Sequence, residues 1–233
     1  MSAPSTKTTV AAPAATPAAV PAKRQQKFPV YLAVYNLGSA FAWFYVLFHL
    51  VQYLVRSHGD YSRALGSCAE ALLKIQTLAV LEIVHSATGM VKTPLVTTVI
   101  QVFSRLLLVW GVLVPFAVPE VRGHWAVSTM IGAWCVAEIV RYLYYAEAIR
   151  GEQVPAFLTW CRYSFFFVLY PVGAGSEWIL LINSLDAAKK VSPFLYYAYV
   201  AIACLYPPGL FVMYTHMMAQ RRKVMRQQRL KTE

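Results

Sequence analysis

Six apolar stretches follow one another along the chain, at residues 30–56, 71–91, 95–118, 124–147, 155–183 and 193–218. Each is near or above the ~20 residues that a tilted helix needs to cross a bilayer. The second stretch is the most polar, but its apolar positions recur at helical spacing. The pattern predicts an all-α integral membrane protein, a bundle of six transmembrane helices.

Two polar segments flank the predicted membrane domain, which covers residues 29–219. Residues 1–28 are rich in Ala, Pro, Thr and Ser without hydrophobic periodicity, which predicts a disordered cytosolic tail. Residues 220–233 form a predicted basic cytosolic tail. An even number of crossings places both tails on one side, and because both are basic that side is expected to be the cytosol. Their basic residues are Lys7, Lys23, Arg24, Lys27, Arg221, Arg222, Lys223, Arg226, Arg229 and Lys231.

The composition supports a membrane protein over a soluble protein with a large core. The chain is 58% hydrophobic and 13% charged, whereas a soluble domain carries about 25% charged residues. The net charge of +11 lies largely in the tails, where it orients the helices and contacts anionic lipid head groups. Nucleic acid is therefore not an expected partner.

The fifth stretch contains the most informative polar residue, Glu177. Tyr170 precedes it by about two helical turns, with Pro171, Gly173 and Gly175 between them. An ionisable group within a bilayer is costly, so it usually faces a polar cavity and has a partner. We therefore predict that Tyr170 and Glu177 form an acid/base pair, and that the helix is interrupted at Pro171.

Other stretches carry further polar residues that suggest ion pairs. Glu138 and Arg141 are three residues apart and predict an intrahelical ion pair, with a direct substrate contact as the alternative. Arg105 and Arg162 are expected either to neutralise Glu82 or Glu138 from another helix or to contact a phosphate or thioester of a ligand.

Three further features of the sequence bear on function: one has two possible roles, and two argue against particular kinds of chemistry. Glu82 and His85 share a helix face, which helix packing and a functional role explain equally well. Cys135 and Arg141 have the Cys-x5-Arg spacing of a tyrosine-phosphatase loop, but the residues between them predict a glycine-free helix without an amide nest for phosphate. The sequence has no Cys/His ligand cluster and no Rossmann glycine string, so neither a metal nor a redox cofactor is expected.

The order and spacing of these polar residues and their neighbours resemble those of a known family, the very-long-chain (3R)-3-hydroxyacyl-CoA dehydratases of the endoplasmic reticulum. The family is also described as protein-tyrosine-phosphatase-like membrane proteins. The resemblance extends from Tyr31 to Tyr214. It rests on Leu81-Glu82-Ile83-Val84-His85 with Gly89, Gln101-Val102-Phe103-Ser104-Arg105, Trp134 with Glu138-Ile139-Val140-Arg141-Tyr142, and Arg162-Tyr163 leading to Leu169-Tyr170-Pro171-Val172-Gly173 and Ser176-Glu177.

The resemblance implies a hydro-lyase whose catalytic domain is residues 29–219. It would convert a long-chain (3R)-3-hydroxyacyl-CoA to trans-2-enoyl-CoA, the third step of fatty-acid elongation. The family's motif makes Tyr170 and Glu177 catalytic, and coenzyme A enters as part of the substrate, so no separate cofactor is implied. The implied location is the endoplasmic reticulum membrane, with membrane lipid and other elongation enzymes as partners. The family's further important positions match Gln101, Arg105, Glu138, Arg141, Arg162 and Gly173.

Dehydration needs a base at C2 and a proton donor at C3. We expect Glu177 to be the base and Tyr170 the donor. The sequence does not decide between this assignment, the reverse assignment and a Tyr170 that only orients water. Without the family strings, the same residues would also suit a transporter or channel with Glu177 as its ion site. A catalytically idle scaffold of the elongation complex is a further alternative, although a scaffold does not need a carboxylate in lipid.

Overall fold

The computed structural model of the protein describes residues 29–151 and 153–232, and this part of the chain is helical almost throughout. A 3₁₀ turn at Ala64–Ser67 precedes α2, and a π-helical segment at Leu107–Leu113 continues α4. The all-α prediction is confirmed for these residues, and the predicted tail 1–28 lies outside them. The α-helices are α1 (Pro29–Arg56), α2 (Ala69–Leu78), α3 (Val80–Ala87), α4 (Leu95–Leu106), α5 (Pro119–Arg122), α6 (Trp125–Ile149), α7 (Ala156–Ser164), α8 (Phe166–Asn183), α9 (Leu185–Val191) and α10 (Pro193–Thr232).

Five helical segments are long enough and apolar enough to cross a membrane. They are α1, α4 with its π-helical continuation, α6, α7 together with α8, and α10. Large apolar side chains cover their outer faces. Phe41, Phe157, Phe194 and Phe211 are each more than 70% exposed, a surface that suits lipid rather than water. The chain is therefore a multi-pass membrane protein.

The second predicted span is divided into two short helices, α2 and α3, which meet at Ala79. Neither is long enough to cross a bilayer alone, so a count of six spans is not confirmed. The two helices return along α1, because the Oη atom of Tyr31 lies 2.8 Å from Nε2 of His85. The last turn of α3 thus lies beside the first turn of α1, and we call this end of the bundle the terminal end.

The helix α6 lies at the centre of the bundle. It makes its most extensive contacts with α1 on one side and α8 on the other. Val46 of α1, Met130 and Ile131 of α6 and Leu180 of α8 are completely buried in one core. Side chains that α6 projects toward its neighbours are therefore fixed in position by packing.

The helix α10 is longer than predicted. The sequence pattern ended the sixth span at residue 218, whereas α10 continues to Thr232 and includes most of the predicted basic tail. One of the tail's cations has a partner in the bundle, since Nε of Arg221 donates to Oγ of Ser164, 3.1 Å away. This part of α10 therefore packs along α7 rather than leaving the bundle.

The predicted interruption at Pro171 is wrong. The helix is interrupted upstream, at Phe165 between α7 and α8, and α8 continues through Pro171 and both glycines. A proline removes one backbone donor, and membrane helices tolerate this loss where neighbouring groups compensate for it. Gly173 has a different role, because a Cβ atom there would lie 3.3 Å from Cβ of Ala133 on α6. The glycine allows α6 and α8 to approach closely.

We expect Gly173→Val to lower the thermal midpoint of the detergent-solubilised protein, because the added side chain would push α8 away from Ala133. Overpacking of this kind costs about 1–3 kcal/mol. Gly175→Val is the matched control, since nothing lies within 4 Å of a Cβ atom at position 175. Equal midpoints for the two variants would show that the contact with Ala133 does not set the spacing of the helices.

Candidate active site

Four charged side chains form a buried ion-pair network between three helices: Glu82 of α3, Arg105 of α4, and Glu138 and Arg141 of α6. Nη1 and Nη2 of Arg141 donate to the two carboxylate oxygens of Glu82, at 2.9 and 2.7 Å. Nε of the same arginine donates to Oε2 of Glu138 at 2.7 Å, and Arg105 donates to Oε1 of Glu138. Glu138 is only 1% exposed, so its charge depends on these two arginines.

The network settles two predictions. The intrahelical pair of Glu138 and Arg141 is confirmed, and Arg105 neutralises Glu138 across helices. Arg162 behaves differently, because within the described residues it forms no ion pair. The polar groups that the sequence placed on separate helices therefore meet at one level of the bundle, with Arg162 outside the network.

Glu82 and His85 share a helix face but form no hydrogen bond or ion pair with each other. Glu82 accepts hydrogen bonds from Arg141 and from the hydroxyl of Tyr142, both on α6. His85 contacts α1 instead, through its hydrogen bond with Tyr31 and an edge-on contact with the ring of Tyr35 at 4.8 Å between centroids. Both residues fasten α3 to its neighbours, which favours the packing interpretation.

Two neutral donors hold the carboxylate of Glu177. Nε1 of Trp134 on α6 donates to Oε1 at 2.8 Å, and Oη of Tyr206 on α10 donates to Oε2 at 3.0 Å. Within the described part of the chain, Glu177 forms no ion pair. Because an indole N–H can only donate, the oxygen that faces Trp134 is an acceptor.

Tyr170 lies about two turns before Glu177 on α8, and its ring stacks on that of Tyr214 at 6.4 Å between centroids. Its hydroxyl is close enough to Glu177 for the two groups to interact electrostatically. Among the described residues, that hydroxyl has no hydrogen-bond partner. The predicted pair therefore lies in one region without a direct hydrogen bond, and the phenol is available to a substrate.

Trp134 joins the Glu177 carboxylate to the ion-pair network. The guanidinium of Arg105 lies 5.4 Å from the centroid of the Trp134 ring, within the range of a cation–π contact. The N–H of the same indole donates to Glu177. A movement of Arg105 would therefore shift the Trp134 indole and, through it, the Glu177 carboxylate.

The remaining predicted residues are divided between two places. Gly173 lies on α8 between Tyr170 and Glu177, against α6. Gln101 and Arg162 line a cavity of about 670 Å³ that α1, α3, α4, α6 and α7 enclose. Arg141 also lines this cavity, whereas Tyr170 and Glu177 do not. The residues that match the family's motif are thus distributed over two places, the cavity and the region around Glu177. The ion-pair network contacts both, because Arg141 lines the cavity and Arg105 contacts Trp134, which donates to Glu177.

The sequence did not predict the two donors to Glu177. Trp134 is one of the residues on which the family resemblance rests, but the sequence predicted no role for it. It is 43 residues from Glu177 and on a different helix, so local spacing could not predict their contact. Tyr206 is one of 15 tyrosines in the chain and lies on a different helix. The nearby Pro207 and Pro208 mark an unusual point of α10, but they do not indicate which helix Tyr206 faces.

The fold and the site define a class: a helical membrane protein with a buried carboxylate and a phenol on one membrane helix. The chain matches the family described as "Protein tyrosine phosphatase-like protein, PTPLA" over residues 76–227, and it belongs to that family. The family predicted from the sequence is therefore confirmed.

Several curated proteins are similar over most of their length. The "Probable very-long-chain (3R)-3-hydroxyacyl-CoA dehydratase" of Schizosaccharomyces pombe is 43% identical, over 83% of this chain and 92% of the relative. The "Very-long-chain (3R)-3-hydroxyacyl-CoA dehydratase PASTICCINO 2A" of Oryza sativa subsp. japonica is 35% identical, over 84% and 93%. The "Very-long-chain (3R)-3-hydroxyacyl-CoA dehydratase 2" of Homo sapiens is 32% identical, over 84% and 80%. No solved structure matches the chain significantly.

The phosphatase-like family description does not imply phosphatase chemistry in this fold. Cys135 is completely buried inside α6, and two carboxylates engage Arg141. Neither side chain is free to meet a phosphate ester as a phosphatase nucleophile and its arginine must. The spacing that the two residues share with a phosphatase loop is therefore a coincidence of helical sequence.

Removing one charge from the network should destabilise the protein strongly. We expect Glu82→Gln to cost about 3 kcal/mol, because Arg141 and Arg105 would then share the single carboxylate of Glu138 in a buried setting. Glu70→Gln is the control, since its pair with Lys74 is exposed and within one helix. The thermal midpoint should fall for Glu82→Gln only. Similar midpoints for both variants would contradict a structural role for the network.

Proposed function

We propose that the protein is a hydro-lyase that removes water from a long-chain (3R)-3-hydroxyacyl-CoA to give trans-2-enoyl-CoA. The relatives reported above are named for this dehydratase activity, and none of those names is that of a transporter or a scaffold. The observation that carries the proposal is a carboxylate held by neutral donors, Glu177, with the unengaged phenol of Tyr170 on the same helix.

The reaction needs two proton transfers on adjacent carbon atoms. A base takes the proton from C2, the electrons of that C–H bond form the C2–C3 double bond, and the hydroxyl leaves C3. The leaving hydroxyl accepts a proton and departs as water. The cycle closes when the proton on the base returns to the donor, so no external oxidant or reductant takes part.

We assign the base to Glu177 and the donor to Tyr170. Two hydrogen bonds from Trp134 and Tyr206 fix the orientation of the Glu177 carboxyl group, which a base needs. The hydroxyl of Tyr170 has no hydrogen-bond partner among the described residues, so it can donate to the departing oxygen. The reverse assignment would need Glu177 to donate a proton while its oxygens already accept from two partners.

The other polar residues then act by positioning. Glu138, Arg141 and Arg105 fix the rotation of α6 against α4 and hold the Trp134 ring. Gly173 brings α8 to α6 at the level of Tyr170 and Glu177. We assign Gln101 and Arg162 to substrate binding instead, because both line the cavity at the terminal end.

We further propose that α2 and α3 together complete a sixth crossing, since they return along α1 to its first turn. Both termini then lie on one side, and the basic residues of the tails favour the cytosol. We place the protein in the endoplasmic reticulum with other fatty-acid elongation enzymes as partners, as the family resemblance implies. The chemistry needs no cofactor beyond the coenzyme A of the substrate.

Substitution of the pair tests the assignment. We expect Glu177→Gln and Tyr170→Phe to lower kcat by about 10²- to 10⁴-fold, the usual contribution of a general acid or base, with the thermal midpoint preserved. Enoyl-CoA formation from a long-chain (3R)-3-hydroxyacyl-CoA would be followed by mass spectrometry on detergent-solubilised protein.

Two controls match the chemical change at exposed positions, Glu120→Gln and Tyr197→Phe. Both should retain wild-type kcat. Turnover by Glu177→Gln at the wild-type rate would refute the assignment of the base. Absence of product with folded wild-type protein would refute the dehydratase itself.

We expect substitution of either donor to Glu177 to lower kcat rather than to raise KM. Trp134→Phe and Tyr206→Phe each remove one of the two hydrogen bonds that orient the Glu177 carboxylate. Because a small misplacement of a reacting group can cost about 100-fold in rate, we expect kcat to fall about 10- to 100-fold with KM little changed. Trp178→Phe is the control, because its indole donates to the carbonyl of Ala203 instead. A rise in KM at constant kcat would mean that the donors bind substrate rather than orient the base.

A further inference from the structure

The 670 Å³ cavity is at the terminal end of the bundle, where residues 88–94 connect α3 to α4. Five helices contribute to its wall. Glu82 and Arg141 of the ion-pair network are among the lining residues. Tyr170 and Glu177, where we propose that the reaction takes place, do not line it.

The cavity carries an excess of positive charge. Glu82 is the acidic residue among its described lining residues, and Arg141 already pairs with it. Lys92 and Arg162 also line the cavity, and within the described residues neither forms an ion pair. Lys92 is exposed, whereas Arg162 is half-buried. A half-buried cation without a counter-charge is costly, so this wall suits an anionic ligand.

Arg162 is oriented before any ligand arrives. Its guanidinium lies 6.0 Å from the ring centroid of Tyr145 and 5.8 Å from that of Tyr163, so aromatic contacts limit its rotation. A planar guanidinium held in this way presents several N–H donors to phosphate oxygens. Gln101 adds an amide whose side chain has no partner among the described residues and which lines the same cavity.

We propose that this cavity binds the phosphate-bearing head group of the acyl-CoA substrate. The proposal rests on the proposed dehydratase function, since that function supplies the ligand. The cations Lys92 and Arg162 contact the phosphates, and Gln101 contacts the amides of the pantetheine arm. The head group remains at the terminal end of the bundle while the acyl chain extends into the apolar region.

The spacing along α7 and α8 agrees with this placement. Arg162 precedes Tyr170 by eight residues, about 12 Å along a helix axis, and Glu177 by fifteen, about 22 Å. An extended pantetheine arm separates the phosphates of coenzyme A from the thioester by a comparable length. A head group at Arg162 therefore places C2 and C3 of the acyl chain at the depth of the catalytic pair.

An anionic lipid head group has the same phosphate chemistry, so the test must separate the two sources. Titration of folded wild-type protein with coenzyme A, which has no acyl chain and is not turned over, measures binding independently of catalysis. We expect Lys92→Glu and Arg162→Gln to weaken this binding about fivefold and more than tenfold, respectively. Lys190→Glu is the control, because Lys190 is an exposed cation on α9 without an ion pair in the described residues.

Kinetics with two substrates complete the test. With the acyl-CoA, Lys92→Glu should raise KM about fivefold at constant kcat. With the same acyl group as a pantetheine thioester, which has no phosphate, the variant and the wild type should have equal kcat/KM.

Three results would overturn the proposal. One is coenzyme A binding that neither cavity variant weakens. Another is an equal loss of kcat/KM for both thioesters. The third is an effect that appears only when anionic phospholipid is added to the detergent, which would assign the cavity to lipid. If the wild type converts neither thioester, the dehydratase proposal fails, and the coenzyme A titration still decides whether the cavity binds the head group.

Discussion

The burial of Glu138 between two arginines is the constraint on which the rest of the structure depends. A carboxylate that is 1% exposed inside an apolar bundle is tolerated only when charge and hydrogen bonds compensate for its lost hydration. Arg105 and Arg141 provide both, and Arg141 also engages Glu82. Because these partners come from α3, α4 and α6, the three helices can adopt only rotations and depths at which the charges meet.

Close packing of α8 on α6 extends that constraint to Tyr170 and Glu177, the pair proposed to be catalytic. Gly173 permits the approach, and Oγ of Ser176 lies 2.7 Å from Oγ1 of Thr129 one turn further along the interface. The alignment brings Glu177 within 2.8 Å of the Trp134 indole. The position of the carboxylate is thus set by contacts with α6 and α10, and not by an irregular backbone within α8, which passes through Pro171 as a helix.

Periodicity in the sequence predicted the helices and the pairs within one helix, because both depend on local spacing. The pair of Glu138 and Arg141 is of this kind. Spacing could not predict that Arg105 would contact Glu138 rather than Glu82, or that Tyr206 would donate to Glu177, since both depend on how separate helices pack. The same limit explains the error at Pro171. Proline lowers helix propensity locally, whereas tertiary contacts decided that the interruption would lie at Phe165.

The charge balance of the network has a consequence for catalysis. Two arginines, Arg105 and Arg141, face two carboxylates, Glu82 and Glu138, so the charges within the network balance. Glu177 lies outside these pairs, and among the described residues its hydrogen bonds come from neutral donors. An ion pair would stabilise the carboxylate further and make it a weaker base, whereas a carboxylate without donors would have no fixed orientation. Neutral donors supply the orientation without the added stabilisation of an ion pair, which suits the role of base that we propose for Glu177.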